Sequence, residues 1–350
     1  MLDGHGDDIY NYSGIRMNFS SNIYAHADLS GLEAHLCRHI DLVRSYPEPS
    51  PRSLEMIIAE KHGISPDEVL VTNGATDAIY LIAQAFCVAH VAVPQQPLPS
   101  SPLNPLPSST FKVFPPTFSE YEDASRLFNY QESDNAALCW LCNPNNPTGE
   151  VFSILHIEAL ASQHALLVLD QSYEDYTLAP MLSAKAAVSM GNVLQLHSMT
   201  KQYAIPGLRL GYVVGASSLI RTLRTHFRPW SVNALAIEGA KYLLRHDSPI
   251  IPSLTAYLQE TQRLRSSLSS LAGIGLPDAT CPPSTPFFLC TIHPHTAASL
   301  KAYLVKEHGI LIRDASNFRG LTPHHFRIAT QSPEENDALV DAITQFFQQR

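Results

Sequence analysis

Ser198-Met199-Thr200-Lys201-Gln202-Tyr203-Ala204-Ile205-Pro206-Gly207-Leu208-Arg209-Leu210-Gly211-Tyr212 is the stretch on which the reading of this chain turns. One lysine stands between a hydroxyl three residues before it and an arginine eight residues after it, amid apolar and Gly-rich sequence. An amine that attacks an aldehyde must be partly deprotonated, and burial beside other cations lowers a lysine's pKa. Hydroxyl and guanidinium donors near that amine suit a phosphate carried by the same molecule. A lone Ser-x-x-Lys carries little weight, because most lysines are solvated surface charges. The rest of the chain has to supply the context.

Upstream, Val69-Leu70-Val71-Thr72 reads as a strand and Asn73-Gly74 as a turn. Ile79, Ile82, Ala83 and Phe86 then fall at i, i+3, i+4 and i+7, one apolar stripe on a helix. Short, unbroken apolar runs follow at 136–142, 166–169, 193–196 and 210–214, with a helical segment at 154–165 between two of them. Runs without alternation suit strands buried on both faces, as in a mainly parallel sheet covered by helices. The pattern predicts an α/β fold with sites where strands end and helices begin. After Trp230 the pattern changes to amphipathic stretches at 231–246 and 253–272, a strand at 287–291 and a helix at 296–308. Strands at 310–313 and 326–329 come next, and a last helix opens with a capping box of Ser332, Pro333 and Glu335. This part reads as a smaller α+β domain. Between Pro94 and Pro116 there are eight prolines among 23 residues, which predicts an irregular, polyproline-like loop.

A chain of 350 residues can bury a large core and is expected to form two domains. Hydrophobic content of 45% and charged content of 16% fit a soluble globular enzyme, and a net charge of −9 argues against a nucleic-acid partner. No apolar run reaches the length of a membrane span, and the acidic N-terminal residues do not read as a signal peptide, so a cytoplasmic location is expected. Cys139 and Cys142 lie in an apolar run, where residues three apart point to opposite faces of a strand; they read as buried thiols. His35 and His39 have helical ligand spacing but no third ligand near them in sequence, and no metal is expected.

Four further segments accompany the lysine stretch: Asn73-Gly74-Ala75-Thr76, Asn143-Pro144-Asn145-Asn146-Pro147-Thr148-Gly149, Asp170-Gln171-Ser172-Tyr173 and Phe326-Arg327-Ile328-Ala329. In this order the five resemble the motifs of the fold type I pyridoxal phosphate (PLP) enzymes, the aspartate aminotransferase superfamily, over nearly the whole chain. The resemblance implies PLP as cofactor, a PLP-transferase fold, and Lys201 as the Schiff-base lysine that later shuttles protons. Ser198, Arg209 and the backbone amides of Gly74, Ala75 and Thr76 would hold the cofactor phosphate, a helix N-terminus being a natural anion site. Asp170 follows a buried strand directly, where a carboxylate needs a partner; the resemblance supplies the protonated pyridine nitrogen. Asn146 and Tyr173 correspond to residues that bond the ring's phenolic oxygen. Phe118 matches the aromatic that stacks on the ring, with Tyr121 as a possible substitute. Tyr46 resembles a tyrosine that reaches across a homodimer interface to the partner's cofactor phosphate, so the active sites are expected to be shared. By the same resemblance residues 1–40 form an arm packing with the small domain, 41–235 the large PLP-binding domain and 236–350 the small domain.

Arg327 resembles the superfamily's carboxylate-binding arginine, and Arg313 stands at the end of another strand. Two arginines converging on one substrate imply two anionic groups on it. Two branches of the superfamily take phosphorylated substrates of this kind, the threonine-phosphate decarboxylases and the histidinol-phosphate aminotransferases. The segments 200–209, 229–234 and 312–321, with His5-Gly6 and Asn18-Phe19-Ser20-Ser21-Asn22, are similar to the first branch. That resemblance implies decarboxylation of L-threonine O-3-phosphate in cobalamin biosynthesis, with His5, Asn22, Arg313 and Arg327 around the substrate. Transamination of histidinol phosphate or a related amino acid is the alternative. The reactions differ in which bond at Cα stands perpendicular to the conjugated ring, a torsion that sequence does not display.

Overall fold

In the computed structural model, which describes residues 7–87, 106–246, 250–277 and 280–348, the apolar runs become adjacent strands. The strands are β1 (Met17–Asn18), β2 (Val69–Thr72), β3 (Thr110–Lys112), β4 (Gln131–Glu132), β5 (Leu138–Cys142), β6 (Leu166–Asp170), β7 (Val193–Ser198), β8 (Gly211–Gly215), β9 (Ile274–Gly275), β10 (Phe287–Ile292), β11 (Ile310–Leu311), β12 (Arg313–Asp314) and β13 (His325–Ala329). Between and after them run α1 (Ser30–Arg38), α2 (Arg52–His62), α3 (Ala75–Phe86), α4 (Glu120–Leu127), α5 (Ile154–Gln163), α6 (Ala184–Met190), α7 (Met199–Gln202), α8 (Ser217–His226), α9 (Ala234–His246), α10 (Leu254–Ser269), α11 (Ala297–Tyr303) and α12 (Pro333–Gln348).

The larger sheet has the order β2-β8-β7-β6-β5-β3-β4. Its ladders from β7 to β4 are parallel, and β8 runs against both its neighbours. Helices cover both faces. Every residue of β2 and of β5 to β8 is buried, as in strands covered on both faces. The polar Gln195 and His197 that alternate along β7 are buried with partners, Gln195 donating to Gln171 Oε1 and His197 Nδ1 lying 2.6 Å from Glu174 Oε1. In β5, Trp140 and Cys142 join the core under α3, α4 and α8, whereas Cys139 and Leu141 join the core under α5 and α6. The two thiols therefore point apart, as strand geometry requires. On α3 the stripe Ile79, Ile82, Ala83 and Phe86 is fully buried. Burial of the large side chains stabilises by roughly 1.5–3 kcal/mol each, enough to fix the rotation of the helix about its axis.

A second sheet, β12-β13-β10-β9, packs against α10, α11 and α12 through a separate core. The capping box forms as expected: Glu335 N–H donates to Ser332 Oγ and Ser332 N–H to a Glu335 carboxylate oxygen. The N-terminal segment docks here. β1 pairs in parallel with β11, Phe19 N–H donates to the Leu311 carbonyl, Ala329 N–H donates to the Phe19 carbonyl, and the Phe19 ring is buried in this core. The next residues, Ser20 to Asn22, are thereby held at the junction of the two sheets.

Three expectations change. The proline-rich segment contains a strand: β3 is a proline-free window between Pro107 and Pro115 with intact N–H donors and a fully buried Phe111. Residues 94–105 of that segment lie outside the described residues. The expected strand at 310–313 splits in two, because Ile310–Leu311 serves the N-terminal segment while Arg313–Asp314 joins β13. The expected helix at 296–308 passes from α11 into a π-helical turn, Leu304–His308, stopped by Gly309 in the left-handed conformation.

Candidate active site

A cavity of about 380 Å³ opens where β2, β5, β6 and β7 end, with the N-terminal segment and the β12–β13 pair as its other walls. Lys201 lies on its floor, partly exposed, in the single turn of α7 that follows β7. The Tyr176 hydroxyl donates to the Lys201 carbonyl, fixing that turn, and Nζ stands 5.7 Å from the centre of the Tyr173 ring. Burial first, then the Arg327 and Arg209 guanidiniums, lower its pKa from 10.5 to about 8. A minor share of the amine is therefore deprotonated at neutral pH, and most of it above about pH 8.

Asp170 ends β6, 4% exposed. One carboxylate oxygen accepts from Ser172 N–H at 2.9 Å and the other from the Tyr121 hydroxyl at 2.7 Å. Both donors are neutral, so among the described residues this buried carboxyl group has no cation among its hydrogen-bond partners. Tyr121 is fixed in turn by stacking on Trp140, at 5.4 Å and 13°. It acts on Asp170 with its hydroxyl, while the Phe118 ring, nearly perpendicular to it, lines the cavity.

The third wall is a cradle. Gly74 caps α3 with φ +88° and ψ 166°, a conformation essentially reserved for glycine. A Cβ at that position would lie 2.8 Å from Arg209 Nη2. Arg209, itself in the left-handed region, donates from Nη1 to the Pro206 carbonyl. Ser198, Ala75 and Thr76 line the cavity beside it. Hydroxyls, a guanidinium and a helix N-terminus thus face one volume, an arrangement that suits a phosphate.

Asn146 comes from the 143–149 loop. That loop is pinned by Gly149, where a Cβ would lie 2.5 Å from the Phe287 carbonyl oxygen, and by Asn145, which donates to the Pro116 carbonyl and Thr148 hydroxyl. Asn146 Oδ1 accepts from Arg327 Nη1, which leaves the Asn146 amide hydrogens for another acceptor. Arg327 Nη2 donates to the Ser20 carbonyl at 2.5 Å. Arg313 sits directly opposite Arg327 in the β12–β13 register and donates to Asn317 at 2.8 Å. Both arginines are buried, and burial lowers the pKa of each, that of Arg327 to about 10. Like charges facing each other across a strand pair are unfavourable unless an anion sits between them. Asn22 donates to the Tyr173 hydroxyl at 3.4 Å; burial raises the pKa of that phenol to about 12.

The structure therefore brings Lys201, Asp170, Tyr173, Phe118, Asn146, Ser198, Arg209, Ala75, Thr76, Asn22, Arg313 and Arg327 around one cavity, with Gly74 behind Arg209. Tyr46 is not in it: the side chain is 87% exposed beside Trp230. His5 lies outside the described residues. Sequence reading passed over Thr200 and Asp7, which also line the cavity. Thr200 adjoins Lys201, and its Oγ1 is buried without a partner among the described residues, as are Asn22 Oδ1 and Arg327 Nε. Three orphaned polar atoms on one cavity are what a polar ligand would satisfy. Asp7, placed by a hydrogen bond from Asn18 at 2.6 Å, follows the His5-Gly6 pair that had pointed to this segment.

The sequence profile of the family described as aminotransferase class I and II matches residues 15–343. A crystal structure of L-threonine-O-3-phosphate decarboxylase from Porphyromonas gingivalis superposes with a TM-score of 0.86 at 34% identity, covering 95% of this chain and 100% of that one. The threonine-phosphate decarboxylase of Salmonella typhimurium is 27% identical over 93% of this chain and 90% of its own length. A histidinol-phosphate aminotransferase from Thermoanaerobacter sp. is 28% identical over 87% of this chain and 85% of its own.

Proposed function

From the premise that the chain belongs to the class I and II aminotransferase family, whose members depend on PLP, we propose that it decarboxylates L-threonine O-3-phosphate. The products are (R)-1-amino-2-propanol O-2-phosphate and carbon dioxide, and the setting is cobalamin biosynthesis. The observation that carries this reading is the buried, cross-strand pair Arg313 and Arg327 on the same cavity as Lys201. Two guanidiniums there match a substrate with both a carboxylate and a phosphate.

The residues fit the cofactor. Ser198, Arg209 and the amides of Gly74, Ala75 and Thr76 would hold its phosphate, joined by Tyr46 of a second subunit in a homodimer. Asp170 would face its ring nitrogen, Asn146 and Tyr173 its phenolic oxygen, and Phe118 its ring. PLP supplies an electron sink for negative charge developing at the carbon that bears the substrate amine. Lys201 Nζ would provide the amine that holds the cofactor and would afterwards supply a proton to the carbon that carbon dioxide has left. Arg313, Arg327, Asn22 and His5 would grip the two anionic groups, so that binding energy remote from the reacting bond sets its orientation. The arm of residues 1–40 would close the cavity by carrying Asn22 and His5 into it, with 41–235 holding the cofactor and 236–350 the substrate arginines.

Purified holoenzyme incubated with threonine phosphate tests this. Carbon dioxide should form without any keto acid, and free threonine should react far more slowly. Glutamate formed from histidinol phosphate and 2-oxoglutarate, with no carbon dioxide from threonine phosphate, would assign the chain to transamination instead.

A further inference from the structure

Away from the cavity, α1 and α9 pack together and collect three side chains of metal-binding type. His35 lies in the last turn of α1 and His39 caps it; α9 brings Glu238, 203 residues further along the chain than His35, against them. The ligand atoms of the three all lie within 4.8 Å of one another. We propose that His35, His39 and Glu238 bind a divalent first-row transition ion of the Zn²⁺ type, clipping α1 to α9.

The hydrogen bonds prepare the donors. His39 Nδ1 lies 2.9 Å from the His35 carbonyl, so it carries the proton and Nε2 keeps the lone pair. An outer hydrogen bond of this kind is the usual support of a metal-bound imidazole. His35 Nε2 and Glu238 Oε1 already converge at 2.9 Å; an ion entering between them moves the imidazole proton to Nδ1 and uses both atoms. The His35 ring is held between His39, at 4.2 Å, and Tyr242, stacked at 4.5 Å. Ligand atoms around tetrahedral zinc lie roughly 3.4 Å apart, so side-chain shifts of about an ångström complete the site. Two imidazoles and one carboxylate favour zinc-type ions over calcium or magnesium, which take oxygen ligands, and leave a coordination position for water. The clip has a reason to be here: α1 begins shortly after Asn22, so its attachment to α9 anchors the segment that brings Ser20 and Asn22 to the cavity.

Zn²⁺ titration of chelator-treated holoenzyme by calorimetry tests the site, with Co²⁺ visible absorption reporting the ligand geometry. One high-affinity ion per chain is expected, together with a rise in melting temperature in the wild type. His39→Ala and Glu238→Gln should each weaken binding by roughly 100-fold or more, since loss of an outer partner alone costs 10–100-fold. Glu238→Gln keeps an acceptor for His35 and so preserves the fold, checked by circular dichroism and bound PLP. Cys37→Ser, an exposed thiol on the same helix, should leave binding unchanged. Failure of the wild type to take up Zn²⁺ saturably, or equal uptake by both ligand variants, would overturn the proposal. Neither result touches the decarboxylase reading, which carbon dioxide release decides separately.

Discussion

Lys201 sits where a cavity and two guanidiniums make protonation unfavourable, and its pKa near 8 has a measurable consequence. Below that pH the amine is mostly charged and only its small free share can attack an aldehyde; above it most of the amine is free. The rate at which apoenzyme takes up PLP, followed by the absorbance of bound cofactor, is expected to rise through about pH 8 and then level off. A rate still climbing towards the ordinary lysine range would assign the attachment to an unperturbed lysine. The same shift makes apoenzyme gain stability as pH rises between about 8 and 10.5, because there the unfolded chain binds the extra proton. Arg313 gives a second residue-level test. Its side chain bonds Asn317 and lies over Phe318, on the opposite side of the site's logic from the Gly74–Arg209 cradle. Arg313→Ala should lower kcat/KM for threonine phosphate roughly 10–100-fold, the loss of one charge-assisted contact. PLP affinity, read by titration, should barely change; an equal loss of both would move Arg313 to the cofactor.

Elements place these residues through close backbone approaches. The start of α3 can meet Arg209 because Gly74 lacks a side chain, and Gly211 repeats the device one strand away, where a Cβ would lie 2.8 Å from Ala75 N. Gly74→Ala should therefore do two things. It adds backbone strain of roughly 1–3 kcal/mol, and it displaces the guanidinium that the cradle presents. The expected result is a lower melting temperature with PLP affinity reduced about tenfold or more, measured on apoenzyme by cofactor titration. Unchanged affinity would mean that Arg209 does not hold the phosphate. The split of the 310–313 run between β11 and β12 works at the same scale. One half pins the N-terminal segment and the other carries Arg313, so both walls of the substrate side hang on four consecutive residues.

At the scale of the whole molecule, the exposure of Tyr46 fits a side chain that serves a second subunit. Tyr46→Phe and Lys201→Ala, each impaired alone, should regain partial activity when mixed and allowed to exchange subunits, since some heterodimers contain one intact site. Full activity in a monomer, by light scattering with assay, would refute sharing. Much of this molecule was legible in the chain. Unbroken apolar runs specify strands buried on both faces, the stripe on α3 specifies its buried side, and the capping box marks the start of α12, because each depends on neighbours in sequence. The lysine, carboxylate and glycine motifs were legible for the same reason: each sits at a strand end whose local pattern is distinctive. Thr200 and Asp7 were not, since an ordinary hydroxyl or carboxylate acquires meaning only when the fold brings it to the wall of the cavity. β3 was hidden by the prolines on either side of it, and a short strand there is decided by the neighbours β4 and β5 that offer it hydrogen bonds. The facing of Arg313 and Arg327, the neutral partners of Asp170 and the approach of Glu238 to His35 were fixed by tertiary packing alone. They join residues far apart in the chain, and the free energy that sets such contacts comes from burying whole faces, which no local stretch of sequence contains.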